Sequence, residues 1–376
     1  MEDREEKITT IGRHPFARAL LLQSLLYTEG IDSFLAHENL IQPDISGGVE
    51  IKVRAPDIAR AMKIIENAVP PPSRAGKNRK MISFRRILVP VDFSEQSVDA
   101  VRLAIGLAGK QKADIRLLHV FYNPMLGSAS FDPGDSYQIN LAGYMHKMEQ
   151  DARSHMERLV NTMKEYLENE GIEGVKLSRT VMNGNASQEI LAFSEKYKPG
   201  IILMGTRGIG HRVSGTLGSV TTDVIEKSSF PVFAIPEGSH LPGVDDLKAV
   251  LFATDFDPSD ELALERLINL LIPLNVRIYC HHISIGVKKP WEKLKIDNLK
   301  EHFSVAYPLA DIHFGITVSD TLMNGLEIFL RNNKVDLLAV TTHKRGFFSR
   351  FFAPSTTKRI FTNIPRPLLV FRAVGD

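Results

Sequence analysis

Residues 87–105, ILVPVDFSEQSVDAVRLAI, recur in altered form as residues 250–268, VLFATDFDPSDELALERLI. Each position of the first stretch has its counterpart 163 residues later (250 − 87). His119 and His282, which lie farther along the two copies, keep the same offset. Two unrelated stretches would rarely share that register. The pattern therefore indicates that one fold occurs twice in the chain.

Within each copy, short apolar runs alternate with longer segments of helical period. The runs of the first copy are ILVPV, IRLLHV, KLSRTV, IILMG and PVFAI, and segments such as SQEILAFSEKY lie between them. Continuous apolar strands separated by helices are typical of a parallel sheet that is covered on both faces. The predicted class is a doubly wound α/β fold, in which ligands bind at the carboxyl ends of the strands.

Two breaks in the pattern divide the chain. The first, PPPSRAGKNRK, is rich in proline and basic residues, and the second, PEGSHLPGVDD, also precedes an apolar strand. The N-terminal block predicts strand, helix, strand, strand, helix, which is the pattern of a small α+β module. We expect this module at 1–69, a linker at 70–83, and doubly wound domains at 84–238 and 246–376.

The composition narrows the class of partner. The 46 basic and 44 acidic residues give a formal net charge of only +2, so no overall field attracts nucleic acid or anionic lipid. The single cysteine, Cys280, excludes an intrachain disulfide and is expected as a buried filler. The start, MEDREEK, lacks the features of a signal peptide, and no apolar run approaches the roughly 20 residues of a membrane span. We expect a cytoplasmic protein without nucleic-acid or membrane partners.

A glycine-rich stretch follows the fourth apolar run of the first copy. Residues 204–225 read MGTRGIGHRVSGTLGSVTTDVI and contain the spacing G-x2-G-x9-G-S. Neither G-x-G-x-x-G nor G-x-x-x-x-G-K-[ST] fits this stretch. Glycines let backbone amides approach a ligand, and the helix SVTTDVI would direct its unpaired amides and positive dipole end at an anion. The stretch therefore favours a phosphate group.

This spacing, together with ILVPVDFSE and LLHV, resembles the ATP-binding domains of the universal stress protein family. The resemblance covers 84–238 with every motif and 246–376 in weaker form. It implies an adenine nucleotide α-hydrolase-like sheet of order 3-2-1-4-5, with an adenine nucleotide where the strand order reverses. Matching positions place Pro90, Asp92 and Val120 at the adenosine end. They place Met204, Gly205, Arg207, Gly208, Gly218, Ser219, Val220 and Thr221 along the ribose and phosphates.

Each of these roles has a purely structural alternative. Asp92 could serve as a turn or helix-capping residue, and the glycine loop could be a tight connection. Arg207 fits a phosphate clamp and a solvent-exposed side chain equally well. The hydroxyls of Ser219 and Thr221 could cap the helix or donate to the ligand. Because the loop contains no lysine, we expect Mg²⁺ to assist ATP binding.

The second copy departs from the glycine pattern. Thr341, Lys344 and Pro354 stand where the first copy has its three motif glycines, and Ser355 keeps the serine of the motif. Ala253 replaces Pro90. We expect this site to be empty. The last apolar runs of the two copies, PVFAIP and PLLVFR, are expected to pair as edge strands, which would give an intrachain pseudo-dimer. The sequence leaves a homodimer of the chain open as a separate possibility.

No catalytic or metal motif emerges from the sequence. G-x-S-x-G, H-E-x-x-H and C-x-x-C are absent, and the adjacent His281 and His282 would face opposite ways on a strand. The leading interpretation is an ATP-binding stress regulator that an unidentified protein partner reads. A slow ATPase or self-phosphorylating enzyme and a nucleotide-independent scaffold are the alternatives. The N-terminal block resembles small signal-transducing domains, and residues 122–139 are expected to form a mobile cover over the nucleotide.

Overall fold

The structure is a computed structural model, and it divides into two compact units. One lies within residues 1–80 together with 289–306, and the other within residues 81–288 together with 307–376. The residues that the structure describes are 8–14, 22–23, 26–27, 29–36, 49–68, 84–122, 135–206, 218–236, 243–256, 258–288, 290–342 and 366–373.

The first unit contains a three-stranded antiparallel sheet. Its strands β1 (Ile8–His14), β2 (Ser33–Ala36) and β3 (Val49–Arg54) lie in the order β1-β3-β2, and helix α1 (Ile58–Ala68) follows. The apolar side chains packed in this unit are those of Leu22, Leu26, Ile31, Ile51, Val53 and Ala61. The three strands and the last helix follow one another as the sequence predicted for the small α+β module, and of the first predicted helix the structure describes residues 22–23 and 26–27 as helical.

The second unit begins with alternating strands and helices. In chain order these are β4 (Arg86–Pro90), α2 (Glu95–Gln111), β5 (Asp114–Phe121), α3 (Asp135–Asn169), β6 (Leu177–Asn183), α4 (Ala186–Tyr197), β7 (Ile201–Gly205), α5 (Ser219–Lys227) and β8 (Val232–Ile235). The strands lie in the order β6-β5-β4-β7-β8, and all their mutual pairings are parallel. This is the predicted order 3-2-1-4-5.

The same order recurs in the second half of the sheet. The elements are β9 (Ala249–Ala253), α6 (Pro258–Leu271), β10 (Arg277–Ile285), β11 (Ile312–Ser319), α8 (Leu322–Asn332), β12 (Leu337–Thr342) and β13 (Leu368–Arg372). Helix α7 (Pro290–Ala306), between β10 and β11 in the sequence, belongs to the first unit. Their strands lie in the order β11-β10-β9-β12-β13, again with parallel neighbours. The doubly wound α/β class is confirmed in both halves.

The two halves join into one ten-stranded sheet through their last strands. β8 and β13 pair antiparallel, with Val232 opposite Val370 and Ala234 opposite Leu368. The predicted pairing of these two edges is therefore observed. One hydrophobic cluster continues across the seam, because it contains buried residues of both halves such as Leu88 and Leu338.

A second set of contacts joins the halves beside helix α2. The side-chain amide of Gln111 donates to the carbonyl oxygen of Leu270 at 2.8 Å. A Cβ added to Gly106 would lie 2.8 Å from the side chain of Val244, so this glycine permits the close approach of the segment that connects the halves. Lys110 forms an exposed ion pair of 2.9 Å with Asp245 in the same segment.

Backbone geometry repeats between the halves at sites of local strain. Phe93 and Phe256, 163 positions apart, have φ angles of 66° and 67°, and Lys112 and Asn275, at the same offset, have 53° and 51°. Positive φ is uncommon for residues with a side chain. Its recurrence at matched positions shows that the halves share local turns as well as strand order.

Helix α3 begins at Asp135, inside the segment 122–139 that was expected to cover the nucleotide. Along this helix Met156 and Met163 are buried, and Met145 and Met148 are half-buried. Residues 123–134 of the expected cover, and most of both linkers, lie outside the described residues. None of the described helices has the length and apolar character needed to cross a membrane.

Candidate functional site

The candidate site lies where β4 and β7 end side by side. These strands are neighbours in the sheet, but β4 continues into α2 whereas β7 leads toward α5. Diverging connections at the carboxyl ends of adjacent parallel strands leave a crevice, which is where open α/β sheets bind ligands. Pro90 and Gly205 are the last residues of the two strands, and both are buried.

A tight corner follows β4. One carboxylate oxygen of Asp92 accepts hydrogen bonds from the backbone N–H and the hydroxyl of Ser94, at 3.1 and 2.6 Å. Ser94 is the N-cap of α2, and its hydroxyl accepts from the N–H of Ser97 at 3.3 Å. Through this oxygen Asp92 acts as a turn residue, which is one of the two roles that the sequence left open. The half-buried carboxylate still lies at the strand end that the proposed ribose would approach.

His119 holds the same corner from strand β5. Its Nδ1 lies 2.7 Å from the carbonyl oxygen of Val91, and its ring centroid lies 4.4 Å from that of Phe93. A carbonyl can only accept, so Nδ1 carries the proton. Burial is the main cause that lowers the pKa of His119, and the hydrogen bond to Val91 acts in the opposite direction. Sequence reasoning used His119 only as a marker of register and missed this contact.

Gly205 is required by the packing of α2. A Cβ at this position would lie 3.0 Å from the Cβ of Gln96 and 3.1 Å from its backbone carbon. Because helix backbone cannot withdraw as the end of a flexible side chain can, the glycine lets the start of α2 lie close to the end of β7. The first glycine of the motif therefore shapes the floor of the crevice.

The start of α5 closes the crevice. Gly218 is its N-cap and donates its N–H to the carbonyl oxygen of Thr206 at 2.7 Å. The buried hydroxyl of Thr221 donates to the carbonyl oxygen of Gly205 at 2.9 Å, so it fastens the helix to the strand end. Ser219 is exposed and Val220 is half-buried. The amides of this first turn have no acceptor within the helix, and they are suited to an anion.

The remaining expected residues fall into two groups. Met204 is only 4% exposed and packs in the core beneath the crevice, and the half-buried Val120 packs against the same cluster. Pro90, the last residue of β4, is buried as well. Arg207 and Gly208 lie outside the described residues. The structure thus brings nine of the eleven expected residues to the ends of β4, β5 and β7 and the start of α5.

The second half has a different arrangement at the equivalent place. Thr341 occupies the position of Gly205 and is fully buried. The counterpart of Ser97 is Asp260, whose carboxylate accepts from the hydroxyl of Thr254 at 2.7 Å and from the N–H of Asp255 at 3.1 Å. The side chain of Thr341 therefore fills space in which the first half, at Gly205, has no side chain. Residues 344, 354 and 355 lie outside the described residues.

The histidines of β10 face opposite sides of the sheet, as predicted. Nε2 of His281 lies 2.8 Å from the hydroxyl of Thr317, whereas Nδ1 of His282 lies 2.8 Å from the carbonyl oxygen of Thr254. Across the part of the chain that the structure describes, no three His, Cys, Asp or Glu side chains group closely enough to hold a metal ion. Cys280 of β10 is buried, and burial raises the pKa of its thiol well above the usual value.

Comparison with known proteins agrees with this fold. Residues 83–236 match the model of the Universal stress protein family. Universal stress protein MJ0577 of Methanocaldococcus jannaschii is 27% identical over 165 residues, which cover 41% of this chain and 96% of that protein. A universal stress protein of Mycolicibacterium smegmatis is 24% identical over 298 residues, which cover 76% of this chain and 96% of that protein.

One solved structure resembles most of the chain. The crystal structure of a universal stress protein from Archaeoglobus fulgidus superposes with a TM-score of 0.54 at 20% sequence identity. The match covers 77% of this chain and 96% of that one. At this identity the likeness shows the fold.

Proposed function

Because residues 83–236 match the model of the Universal stress protein family, we propose that the first doubly wound domain binds ATP and acts as a nucleotide-responsive regulator. The observation that carries the proposal is the crevice between the ends of β4 and β7, closed by the start of α5. The G-x2-G-x9-G-S spacing connects these parts in the sequence.

The phosphates would lie against the first turn of α5. The amides of Ser219, Val220 and Thr221 point out of the helix start, and the helix dipole favours negative charge there. The exposed hydroxyl of Ser219 can add a further hydrogen bond, whereas the Thr221 hydroxyl already donates to the carbonyl oxygen of Gly205. Mg²⁺ bound with ATP would offset the phosphate charge, since the loop from Gly205 to Ser219 contains no lysine.

The nucleoside would lie toward β4 and β5. Pro90 and Val120 offer an apolar wall to the base, and Asp92 offers a carboxylate to the ribose hydroxyls. Contacts of this kind must offset several kcal/mol of lost freedom, so we expect an affinity in the micromolar range. Occupancy would change the loops around the phosphates, and a protein partner would read that change.

The second doubly wound domain would act as an architectural partner with an empty nucleotide site. Two features support this role. Thr341 stands where the first domain has Gly205, the residue that lets α2 lie close to β7. Strand β13 pairs with β8 and so covers its edge. The N-terminal module would then serve sensing or docking.

Two substitutions at Gly218 test ATP binding. Its φ of −65° is open to any residue, so Gly218→Ala should fold and bind, while Gly218→Val places a branched side chain beside the phosphates. Calorimetry should show ATP binding in the wild type and Gly218→Ala and its loss in Gly218→Val. Wild-type affinity in a folded Gly218→Val protein would reject the assignment. Rapid phosphate release by the wild type would instead identify an enzyme.

A further inference from the structure

We propose that His119 is a positioning residue for nucleotide binding, which acts by fixing the corner that presents Asp92. The inference rests on the proposed function, because it assigns Asp92 to the ribose. We call the contacts of His119 with Val91 and Phe93 the latch.

The latch holds both neighbours of Asp92. On one side, the carbonyl oxygen of Val91 accepts from Nδ1 of His119 at 2.7 Å, and the N–H of Val91 donates to the carbonyl oxygen of Leu118 at 2.8 Å. On the other side, Phe93 packs on the His119 ring at a centroid distance of 4.4 Å. With the backbone of Val91 held on one side and the side chain of Phe93 on the other, the Asp92 side chain leaves the backbone in a set direction.

The corner needs such support because its backbone is strained. Phe93 has a φ of 66°, a region that residues with large side chains seldom adopt. Surrounding contacts must hold a residue in that conformation, and strain of this kind is often found at binding sites. The ring of His155 packs near the same phenyl group, at 5.4 Å, so Phe93 is enclosed by histidines from β5 and α3.

A fixed carboxylate favours binding. A ligand that meets an ordered corner does not have to immobilise it, so less of the interaction energy is lost to ordering. Asp92 is further restrained by the hydrogen bonds it accepts from Ser94. His119 therefore acts on the nucleotide through the backbone of residues 91–93, without a contact of its own.

The second half of the sheet contains the same latch and supplies an internal control. Nδ1 of His282 lies 2.8 Å from the carbonyl oxygen of Thr254, and its ring lies 4.4 Å from that of Phe256, whose φ is 67°. Its corner, however, leads to Asp255 beside a strand end that carries Thr341. A purely structural latch would matter equally in both halves, whereas a positioning latch matters for nucleotide binding only in the first.

The test compares variants of the two histidines in the full-length chain. His119→Phe keeps an aromatic ring but removes the donor, and His119→Asn keeps a donor near the position of Nδ1. We expect His119→Phe to raise the Kd for ATP about tenfold, since one hydrogen bond and the order it imposes are lost. His119→Asn should recover part of that loss. His282→Phe should lower the thermal stability about as much as His119→Phe does, and it should bind ATP as the wild type does.

A second ligand separates positioning from general damage. Since the latch acts through Asp92 and the ribose hydroxyls, 2′,3′-dideoxy-ATP should bind His119→Phe and wild type equally. An equal loss for both nucleotides, or wild-type ATP affinity in a folded His119→Phe, would overturn the positioning role. Should His119→Phe fail to fold, Asp92→Asn is compared with the double variant Asp92→Asn, His119→Asn. Equal ATP affinities of these two proteins support the positioning role, and a further loss in the double variant overturns it. A wild type that binds no ATP would instead reject the proposed function.

Discussion

At Gly205 one missing side chain decides how closely helix α2 approaches strand β7. A Cβ there would lie 3.0 to 3.3 Å from the Cβ, backbone carbon and carbonyl oxygen of Gln96. Gly205→Ala should therefore lower the free energy of unfolding by about 1–3 kcal/mol, as other overpacked sites do. Gly143, in helix α3, has nothing within 4 Å of an added Cβ, so Gly143→Ala should stabilise the protein by about 0.5–1 kcal/mol. Denaturant unfolding measures both, and equal stability of Gly205→Ala and wild type would contradict the close contact.

His281 makes the stability of the second half depend on pH. Burial lowers its pKa from 6.5 to about 4, and the neighbouring His282 adds to the effect. The unfolded chain therefore binds a proton that the folded chain excludes between these values. The contribution of the neutral His281 to the free energy of unfolding is complete above pH 6.5, and about 3 kcal/mol of it is lost as the pH falls toward 4.

Unfolding curves at pH 7.5 and pH 4.5 check this expectation. His281→Phe keeps a ring against Phe329, whose centroid lies 4.2 Å from that of His281, and it has no proton to gain. The variant should lose less stability than the wild type between the two pH values. Parallel losses in the two proteins would show that His281 is not responsible.

At the scale of elements, the start of α5 depends on a contact with β7. The Thr221 hydroxyl donates to the buried carbonyl oxygen of Gly205, whereas that of Thr222 donates to Gly218 within its own helix turn. Thr221→Val leaves the Gly205 carbonyl without this donor and should cost about 1–3 kcal/mol of stability. It should also weaken ATP binding, because the amides at the helix start lose their anchor.

Two control variants isolate that contact. Thr221→Ser retains the hydroxyl and should keep near wild-type stability and affinity, and Thr222→Val should change either property only slightly. Thermal unfolding and calorimetry on the three proteins give both readings. If Thr221→Val and Thr222→Val behave alike, the hydroxyl of Thr221 does not anchor the helix.

Strands and helices were readable from the sequence because periodicity reports which faces are buried. The alternation of apolar runs and helical segments predicted the class, and the 163-residue offset predicted that one fold occurs twice. The order 3-2-1-4-5 was implied by the resemblance to the universal stress protein family, and both halves of the sheet have it. The first turn of α3 was not predicted, because it lies in the segment expected as a mobile cover and residues such as Asp135 are as common in loops as in first turns. The roles of His119 and Thr221 depend on carbonyl groups distant in sequence, at Val91 and Gly205, which no local pattern reveals.

At the scale of the molecule, the pairing of β8 with β13 turns two five-stranded sheets into one. Each strand would otherwise be an open edge, which is a hazard for aggregation. Gln111 and Val244 add contacts between the halves on one face of the sheet. The second half thus has a structural reason to be present whether or not it binds a ligand, and the glycines of a nucleotide site are not needed for it.

The central claim, that nucleotide binds the first of the two related domains alone, is tested most directly by calorimetric titration of the full-length protein with ATP and Mg²⁺. We predict saturation at one ATP per chain with a Kd in the micromolar range. The bound nucleotide should disappear in Gly218→Val and persist in Gly218→Ala. Saturation at two ATP per chain, or no binding by the wild type, would contradict the account.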